Sequence, residues 1–437
     1  MIRRGGRELK KQKDTSFLAR MILFFRGVRA RLGELKPLRR IRDRQRALSH
    51  YSDSGSCEES RLSYAFGIAK IISILCLSLL LIITLLFGSR AISYDKVYYM
   101  FKDIGYIKSF DEGTPDELSF SKPVQNQVFG NFKNGLIVAG DSEIKLFTST
   151  GRVTLTAGSD FTNPRIETSK EYALIYDQGR NHFSVYNSFV SLYSEQTDYP
   201  IACADMSESG AFLIVTKSKI YNSVVKIYGN DFTLLSEYSK NDLVISASLS
   251  SDGRYAAVLS LDASNGSSAV TLNILDCKRE TVVATSKYEG YMPYRCDFLS
   301  SDRVVMFFDD CFIVANRKGE TIGKYDYPAS AERIDIMGDS FAIVFSQNGK
   351  NGKKTLEVFG REGNRSYTDY LDGSVKDMRL ADGSVYVLES REIIRINTSL
   401  GTRTVRAADA DGLKVVVFPD GRAAVCSQTN AKYISFN

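Results

Sequence analysis

The chain has 437 residues, of which 43% are hydrophobic and 25% charged, and its formal net charge is +6. This composition excludes a disordered tail and predicts a chain that buries a large core. Residues 1–63 carry 17 Lys and Arg against 7 Asp and Glu, a net charge of +10, so the remaining residues carry −4. The basic character therefore belongs to the first 63 residues alone.

The basic tail contains a segment, residues 16–36, in which apolar side chains recur on one helical face: Leu18, Met21, Ile22, Phe25, Val28, Leu32 and Leu35. Two interpretations remain open. The segment is either a helix that lies on the anionic inner leaflet of a membrane or a weakly helical, solvated tail. Residues 49–60 are rich in serine and predict a flexible connector.

A long apolar run follows, "IISILCLSLLLIITLLF" over residues 71–87, without a charged side chain. With its flanks it provides about 20 residues, enough helix to cross a hydrocarbon core. We therefore predict a transmembrane signal anchor over residues 64–88. A buried core helix or a cleaved signal peptide fits less well, because the run is apolar on every face and no small-x-small cleavage site precedes Ser89.

The orientation follows from the lysines and arginines further from the membrane, such as those in "KPLRRIRDRQR" (36–46). They place residues 1–63 in the cytoplasm and residues 89–437 outside the cell membrane, which the protein crosses once.

Beyond the anchor, one phrase recurs: an apolar alternation, a polar turn and a second apolar alternation. Its eight copies are residues 127–140, 164–177, 204–217, 247–260, 296–309, 333–346, 377–390 and 415–428. Their turns are 35 to 50 residues apart, and two further strand-like runs follow each copy where room remains. A period near 40 with four strands per unit is typical of propeller blades, which bury their faces against one another.

We therefore predict an all-β fold over residues 89–437, an eight-bladed β-propeller, with seven blades as the alternative and a β-sandwich array as the rival. The last copy ends too close to Asn437 for a fourth strand. The segment "AISYDKVYYMF" (91–101) is the expected donor of that strand.

The paired turn residues, such as Asp252 and Gly253, are expected in hairpins between the innermost and second strands, where glycine adopts a positive φ at little cost. We expect these acidic residues to be structural and the turns to lie on one rim, far from each other.

This arrangement of a basic head, one anchor and eight repeats resembles an uncharacterised family of single-pass membrane propellers from Gram-positive anaerobes. The resemblance implies an envelope protein with no assigned activity and no family site residues. The repeats are also similar to those of quinoprotein and WD-repeat propellers. However, the chain has no Trp, and so lacks both the Trp-Asp dipeptide and the docking tryptophans of quinoprotein repeats.

Residues suited to catalysis are scarce. The two histidines are His50, in the tail, and His182, which we predict to be a surface turn residue. No Asp, Glu or Asn recurs at a fixed position of the innermost strands, so Asp205, Asp297 and Asp335 are only scattered candidates for metal ligands. Five cysteines of the outer domain are expected to be free and buried: Cys203, Cys277, Cys296, Cys311 and Cys426.

The predicted function is a binding or scaffold module for a protein, peptide or glycan of the cell envelope, with no enzyme activity, no cofactor and no nucleic-acid partner. Two alternatives remain: a signalling receptor that couples the propeller to the tail, and a metal-dependent propeller enzyme of the lactonase or lyase type.

The predicted binding loop is "KYEGYMPYRC" (287–296), which leads into the fifth copy of the phrase. It brings together Tyr288, Tyr291, Tyr294 and Arg295. Tyrosine and arginine dominate binding hot spots because they combine large contact area with hydrogen bonding. The alternative is that these rings pack over the blade edges.

Overall fold

The computed structural model describes residues 67, 69–81, 116–120, 126–262, 269–346 and 353–436. The chain divides into two compact units, Met1–Ile92 and Ser93–Asn437. In the first unit, residues 69–81 form a helix, α1. None of the helical segments in the described part of the chain combines the length and the apolarity that a membrane crossing requires. The tail (1–63) and parts of the predicted span (64–88) lie outside the described residues, so the anchor stays a prediction.

The second unit is a propeller of eight blades, and each blade is an antiparallel sheet of four strands within the described residues. The eight-bladed prediction is thereby confirmed, and the seven-bladed alternative is wrong. Blade 1 consists of β2 to β5, blade 2 of β6 to β9, and so on to blade 8, which consists of β30, β31, β32 and β1.

The innermost strands are β2 (Val128–Phe132), β6 (Pro164–Thr168), β10 (Ile201–Met206), β14 (Leu243–Leu249), β18 (Pro293–Leu299), β22 (Ala331–Met337), β26 (Asp377–Ala381) and β30 (Lys414–Val417). The second strands are β3 (Gly135–Ala139), β7 (Ala173–Asp177), β11 (Phe212–Thr216), β15 (Tyr255–Asp262), β19 (Arg303–Phe308), β23 (Ser340–Phe345), β27 (Ser384–Leu388) and β31 (Ala423–Cys426).

The third strands are β4 (Glu143–Phe147), β8 (His182–Tyr186), β12 (Ser223–Tyr228), β16 (Ala269–Asp276), β20 (Cys311–Asn316), β24 (Lys354–Phe359), β28 (Glu392–Asn397) and β32 (Asn430–Ile434). The outermost strands are β5 (Val153–Gly158), β9 (Ser191–Gln196), β13 (Leu234–Lys240), β17 (Thr281–Glu289), β21 (Thr321–Asp326), β25 (Arg365–Leu371), β29 (Thr402–Ala407) and β1 (Glu117–Ser119).

The core lies between the blades. In the described residues, the buried apolar side chains form eight clusters, and each cluster joins two neighbouring blades. The second strands supply much of this core because they are buried on both faces, whereas the outermost strands alternate between exposed and covered positions. A four-stranded sheet cannot cover its own faces, so closure of the ring is what buries them.

Phenylalanine takes the place of tryptophan in some of these interfaces. Between blades 5 and 6, the ring of Phe312 lies edge-on to Phe341 and Phe359, with centroid distances of 4.9 and 4.8 Å. In the cluster between blades 2 and 3, Phe212 stacks on Tyr228 of its own blade at 4.7 Å, and the ring of Phe183 in blade 2 lies edge-on to Phe212 at 5.8 Å.

Blade 8 is completed by a strand from the start of the domain, as predicted, but from a different segment. The short strand β1 pairs with β32, and Leu118 lies opposite Ala431. Phe120 follows it and lies 6.0 Å from Phe129 of blade 1. The prediction that residues 91–101 provide the strand is wrong, because β1 occupies that position; residues 91–101 themselves lie outside the described residues.

The hairpins between the innermost and second strands lie where the sequence predicted them. Gly253 has a φ of +67°, and a Cβ at this position would lie 2.9 Å from Cβ of Ala211 in the neighbouring turn. The turns are not far apart, contrary to expectation: the Ser209 N–H donates to Ser251 O (3.2 Å), and the Ser251 N–H donates to Ser300 O (3.0 Å). The turns of blades 3, 4 and 5 therefore form a hydrogen-bonded chain.

Candidate binding site at the central channel and its mouth

Each innermost strand has one face toward the preceding blade and one toward the following blade. In β10, Ala204 and Met206 pack against Leu174 of blade 2. The alternate residues Cys203 and Asp205 therefore face blade 4 beside the axis of the ring. The innermost strand has no partner strand on its axial side, so its backbone groups there need other hydrogen-bond partners. Polar side chains on the axial face of the neighbouring blade can supply them.

A one-residue β-bulge marks the start of this polar face in blades 3 to 6. The pairing shifts between Ile201 and Cys203, between Val244 and Ser246, between Pro293 and Arg295, and between Ala331 and Arg333. The residue after each bulge occupies what we call the mouth position, and the residue two further along occupies the inner position.

In blades 2 to 7, nearly all of these positions are polar or charged. The mouth positions hold Arg165, Cys203, Ser246, Arg295, Arg333 and Asp377. The inner positions hold Glu167, Asp205, Ser248, Asp297, Asp335 and Arg379. Four acidic residues thus recur at one position of the innermost strands, so the prediction that no acidic position recurs is wrong.

Several of these side chains bond the backbone of the next blade. The N–H of Leu249 donates to Asp205 Oδ2 (2.7 Å), and the N–H of Phe298 donates to Ser248 Oγ (3.2 Å). In each pair, the donor directly follows the inner position of its own blade. The polar side chains at these positions therefore stabilise the contacts between blades, because they accept hydrogen bonds from N–H groups that face the axis.

Blades 6 and 7 carry a stronger version of this contact. Asp335 accepts from the Leu380 N–H (2.6 Å) and from Nη1 of Arg379 (3.0 Å). At the mouth position of blade 7, Asp377 accepts from the Val415 N–H (2.9 Å) and from Nζ of Lys414 (3.0 Å) of blade 8. Each carboxylate thus holds a cation and a backbone donor of the next blade, and charge-assisted bonds of this kind are short and strong.

In blade 5, the ion pair lies within one strand. Arg295 binds Asp297 through two contacts, Nε to Oδ2 at 2.6 Å and Nη2 to Oδ1 at 2.7 Å. Burial raises the pKa of Asp297 to about 6, although Arg295 opposes that shift.

Glu167 differs from the other inner carboxylates. Among the described residues its carboxyl accepts no hydrogen bond, because the Met206 N–H, the corresponding donor of blade 3, donates to Asp205 instead (2.8 Å). Burial, followed by repulsion from Asp205, raises the pKa of Glu167 to about 8, while Arg295 and Arg379 oppose the shift. Residues of blades 2, 3, 5 and 7 therefore share one electrostatic field at the axis, and Glu167 is mainly protonated at neutral pH.

The mouth lies at the end of the ring where the innermost strands begin. Loops between second and third strands end there too, because successive strands are antiparallel. This end carries exposed apolar side chains, with Ile220 81% and Tyr294 66% exposed. Leu243, Met292 and Leu413 at the same end are also exposed. We call these five residues and the mouth positions together the mouth surface.

The structure separates the four residues of the predicted binding loop. Tyr288 and Tyr291 are partly buried against the cluster between blades 4 and 5, and Tyr291 lies 5.0 Å from the ring of Phe308. Tyr294 is the residue within the bulge and faces solvent, and Arg295 occupies a mouth position. Only the last two lie on the mouth surface, and the binding role of all four stays a prediction.

The prediction that His182 is a turn residue is wrong, because His182 is the first residue of β8. Its side chain is 35% exposed. Across the described part of the chain, no group of three or more His, Cys, Asp or Glu is placed to hold a metal ion. The five cysteines of the propeller are free, and all except the half-buried Cys203 are buried.

Comparison with known proteins gives a family and a fold. The family of unknown function DUF5711 matches residues 116–434, the whole propeller. The chain belongs to this family. None of the curated proteins compared with it matches.

Solved structures similar to this DUF5711 chain are propellers of low sequence identity. BamB from Moraxella catarrhalis is 11% identical with a TM-score of 0.51, and the match covers 74% of this chain and 99% of BamB. Sqt1 from Saccharomyces cerevisiae is 12% identical with a TM-score of 0.55, over 74% of this chain and 100% of Sqt1. At these identities the likeness establishes the fold alone.

Proposed function

We propose that this chain is a membrane-anchored, extracytoplasmic propeller that binds a protein or peptide of the cell envelope on its mouth surface. The observation that carries the proposal is that one end of the ring combines five exposed apolar side chains with three exposed arginines. Large apolar side chains in solvent mark interaction sites when they lie together, and aromatic residues and arginine are enriched in such sites.

The chemistry of the surface indicates the partner. Arg165, Arg295 and Arg333 at mouth positions are exposed, and Tyr294 and Met292 lie beside Arg295. A peptide that combines apolar side chains with carboxylates would complement both features. The rigid ring keeps the surface in place, so little conformational entropy is lost on binding.

A site-specific crosslinker tests this surface. A photoreactive phenylalanine analogue at position 294 or 243 is expected to form protein adducts in envelope preparations. The same analogue at position 400, where exposed Leu400 lies in a hairpin at the opposite end, is the matched control. Adducts should disappear when Arg295 and Met292 are both replaced by Ala. Equal adducts from positions 294 and 400 would contradict the proposal, and so would adducts with glycan alone.

The membrane part of the proposal rests on the apolar run and the basic tail. Protease added to cells without a wall should cleave the propeller and spare a tag at the N-terminus. Cleavage of the tag in intact cells, or full protection of the propeller, would overturn the topology.

A further inference from the structure

A cleft in the described part of the propeller lies on the third and outermost strands of blade 2 and the loops beside them. It has a volume of about 490 Å³, and Asp160, His182, Ser194 and Arg180 are among its lining residues. No residue of the mouth surface is among those that line it.

Three of these side chains form a hydrogen-bonded chain. Nδ1 of His182 lies 3.2 Å from Oδ1 of Asp160, and Nε2 lies 2.9 Å from Oγ of Ser194. The buried ring of Phe161 contacts the imidazole edge-on at 5.2 Å. The carboxylate and the hydroxyl therefore fix the orientation of the histidine. In a catalytic triad the same three groups act as orienting acid, nucleophile and, for the histidine, general base.

The strand register explains why these groups meet. The Thr197 N–H donates to Asn181 O (2.7 Å), so the next pair, His182 with Gln196, is a pair without mutual hydrogen bonds. Hydrogen-bonded and non-hydrogen-bonded pairs alternate, so the pair Ser184 and Ser194 also lacks mutual hydrogen bonds. Side chains in such pairs are closest. The Ser194 N–H points away from β8, toward the open edge of the blade.

The neighbouring serine sets the direction of the protons. Ser184 Oγ donates to Ser194 Oγ (3.0 Å). The Ser194 hydroxyl is then free to donate to Nε2 of His182. In the tautomer with a proton on Nδ1 the imidazole donates to Asp160, which is the arrangement that a general base requires.

We propose that Asp160, His182 and Ser194 form a second site, one that hydrolyses small carboxylic esters in this cleft. Ser194 Oγ attacks the ester carbonyl carbon, and its proton passes to Nε2 of His182. The carbon–oxygen bond to the alcohol then breaks, and the alcohol leaves with that proton. Water, deprotonated by His182, attacks the acyl-serine and releases the carboxylic acid and free Ser194.

Two donors are available for the carbonyl oxygen as it becomes negative. The Ser194 N–H lies on the open strand edge, and the exposed guanidinium of Arg180 lines the same cleft. Asp160 is 82% exposed, so water competes for its carboxylate and its contribution is smaller than that of a buried acid.

Labelling of the purified full-length chain with a fluorophosphonate probe tests the site, together with hydrolysis of p-nitrophenyl acetate. The probe is expected on Ser194. Ser194→Ala should abolish labelling, His182→Gln should reduce it by about 10²-fold or more, and Asp160→Asn should reduce it less. Ser194→Ala and Asp160→Asn should melt like the wild type because both side chains are exposed, and His182→Gln should lower the melting temperature only slightly because the half-buried imidazole contacts Phe161.

Ser191→Ala is the matched control, since Ser191 is exposed on the same strand but is not among the residues that line the cleft. It should keep full labelling. Labelling that is no greater than in heat-denatured protein would overturn the proposal, as would labelling that persists in Ser194→Ala. Neither result would affect the mouth surface, which uses other residues.

Discussion

At the scale of single residues, the side chains at the inner positions differ in whether they accept a hydrogen bond from the next blade. Asp205, Ser248 and Asp335 accept backbone N–H groups of the next blade, so a carboxylate or hydroxyl there has a structural reason. Glu167 has no such bond among the described residues, and its carboxyl lies in the same field as Asp205 and Asp297. A carboxyl in this environment favours the neutral form.

This predicts a pH effect on stability that is specific to Glu167. Its pKa is about 8 in the folded protein against 4.5 as the ordinary value, so the folded state binds the proton more tightly. Stability should therefore fall as the pH rises from about 4.5 to about 8. Glu167→Gln stays neutral and should lose less, so its melting temperature relative to the wild type should be higher at pH 8 than at pH 5.

Glu171→Gln is the control, because Glu171 is exposed in the next turn. Its melting temperature relative to the wild type should be the same at both pH values. A Glu167→Gln variant with an equally constant difference would show that Glu167 is ionised in the folded protein.

At the scale of elements, the shortest strand closes the ring. β1 has three residues, yet Leu118 and Phe120 belong to the cluster between blades 8 and 1. The strand also covers the edge of β32, which would otherwise expose unpaired backbone groups. The side chains around β1 thus contribute more to closure than its three residue pairs suggest.

Deletion of residues 116–120 should therefore lower the melting temperature far more than deletion of residues 91–101. The first deletion removes the paired strand and two apolar side chains of the cluster between blades 8 and 1, while the second leaves that strand and that cluster in the chain. Thermal unfolding of both variants checks the expectation. The segment 91–101 would regain its predicted role if its deletion were the more destabilising.

A point change addresses the interface between two blades. Phe312→Ala empties a site enclosed by Phe341 and Phe359, and it should lower the free energy of unfolding by about 3–5 kcal/mol. Tyr370→Ala is the control, because Tyr370 is exposed on an outermost strand. Urea denaturation measures both. A loss below about 1 kcal/mol in Phe312→Ala would mean that this interface relaxes to fill the cavity.

At the scale of the whole molecule, the ring joins eight similar sheets but differs from blade to blade at the axis. Carboxylates dominate the inner positions of blades 2, 3, 5 and 6, and Arg379 reverses the charge in blade 7. The exposed apolar residues of the mouth surface come from blades 3, 4, 5 and 8. A repeated fold thus presents a surface without eightfold symmetry.

The sequence by itself determined the architecture. Eight copies of one phrase, with Gly253 and its counterparts in the turns, predicted eight blades and the position of their hairpins, because period-2 alternation and turn residues are local signals. It also predicted free cysteines and closure by an early strand. It did not identify that strand, since "ELS" (117–119) is too short to show a period.

Only the tertiary structure decided which residues meet. The bulge before Arg295 sets the face of Asp297, and the register of β8 and β9 brings His182 to Ser194. Sequence reasoning missed both the recurring inner carboxylates and the chain in blade 2. The reason is physical: a bulge shifts the side chains by one position, and the contacts join residues 12 to 50 positions apart, so no local pattern records them.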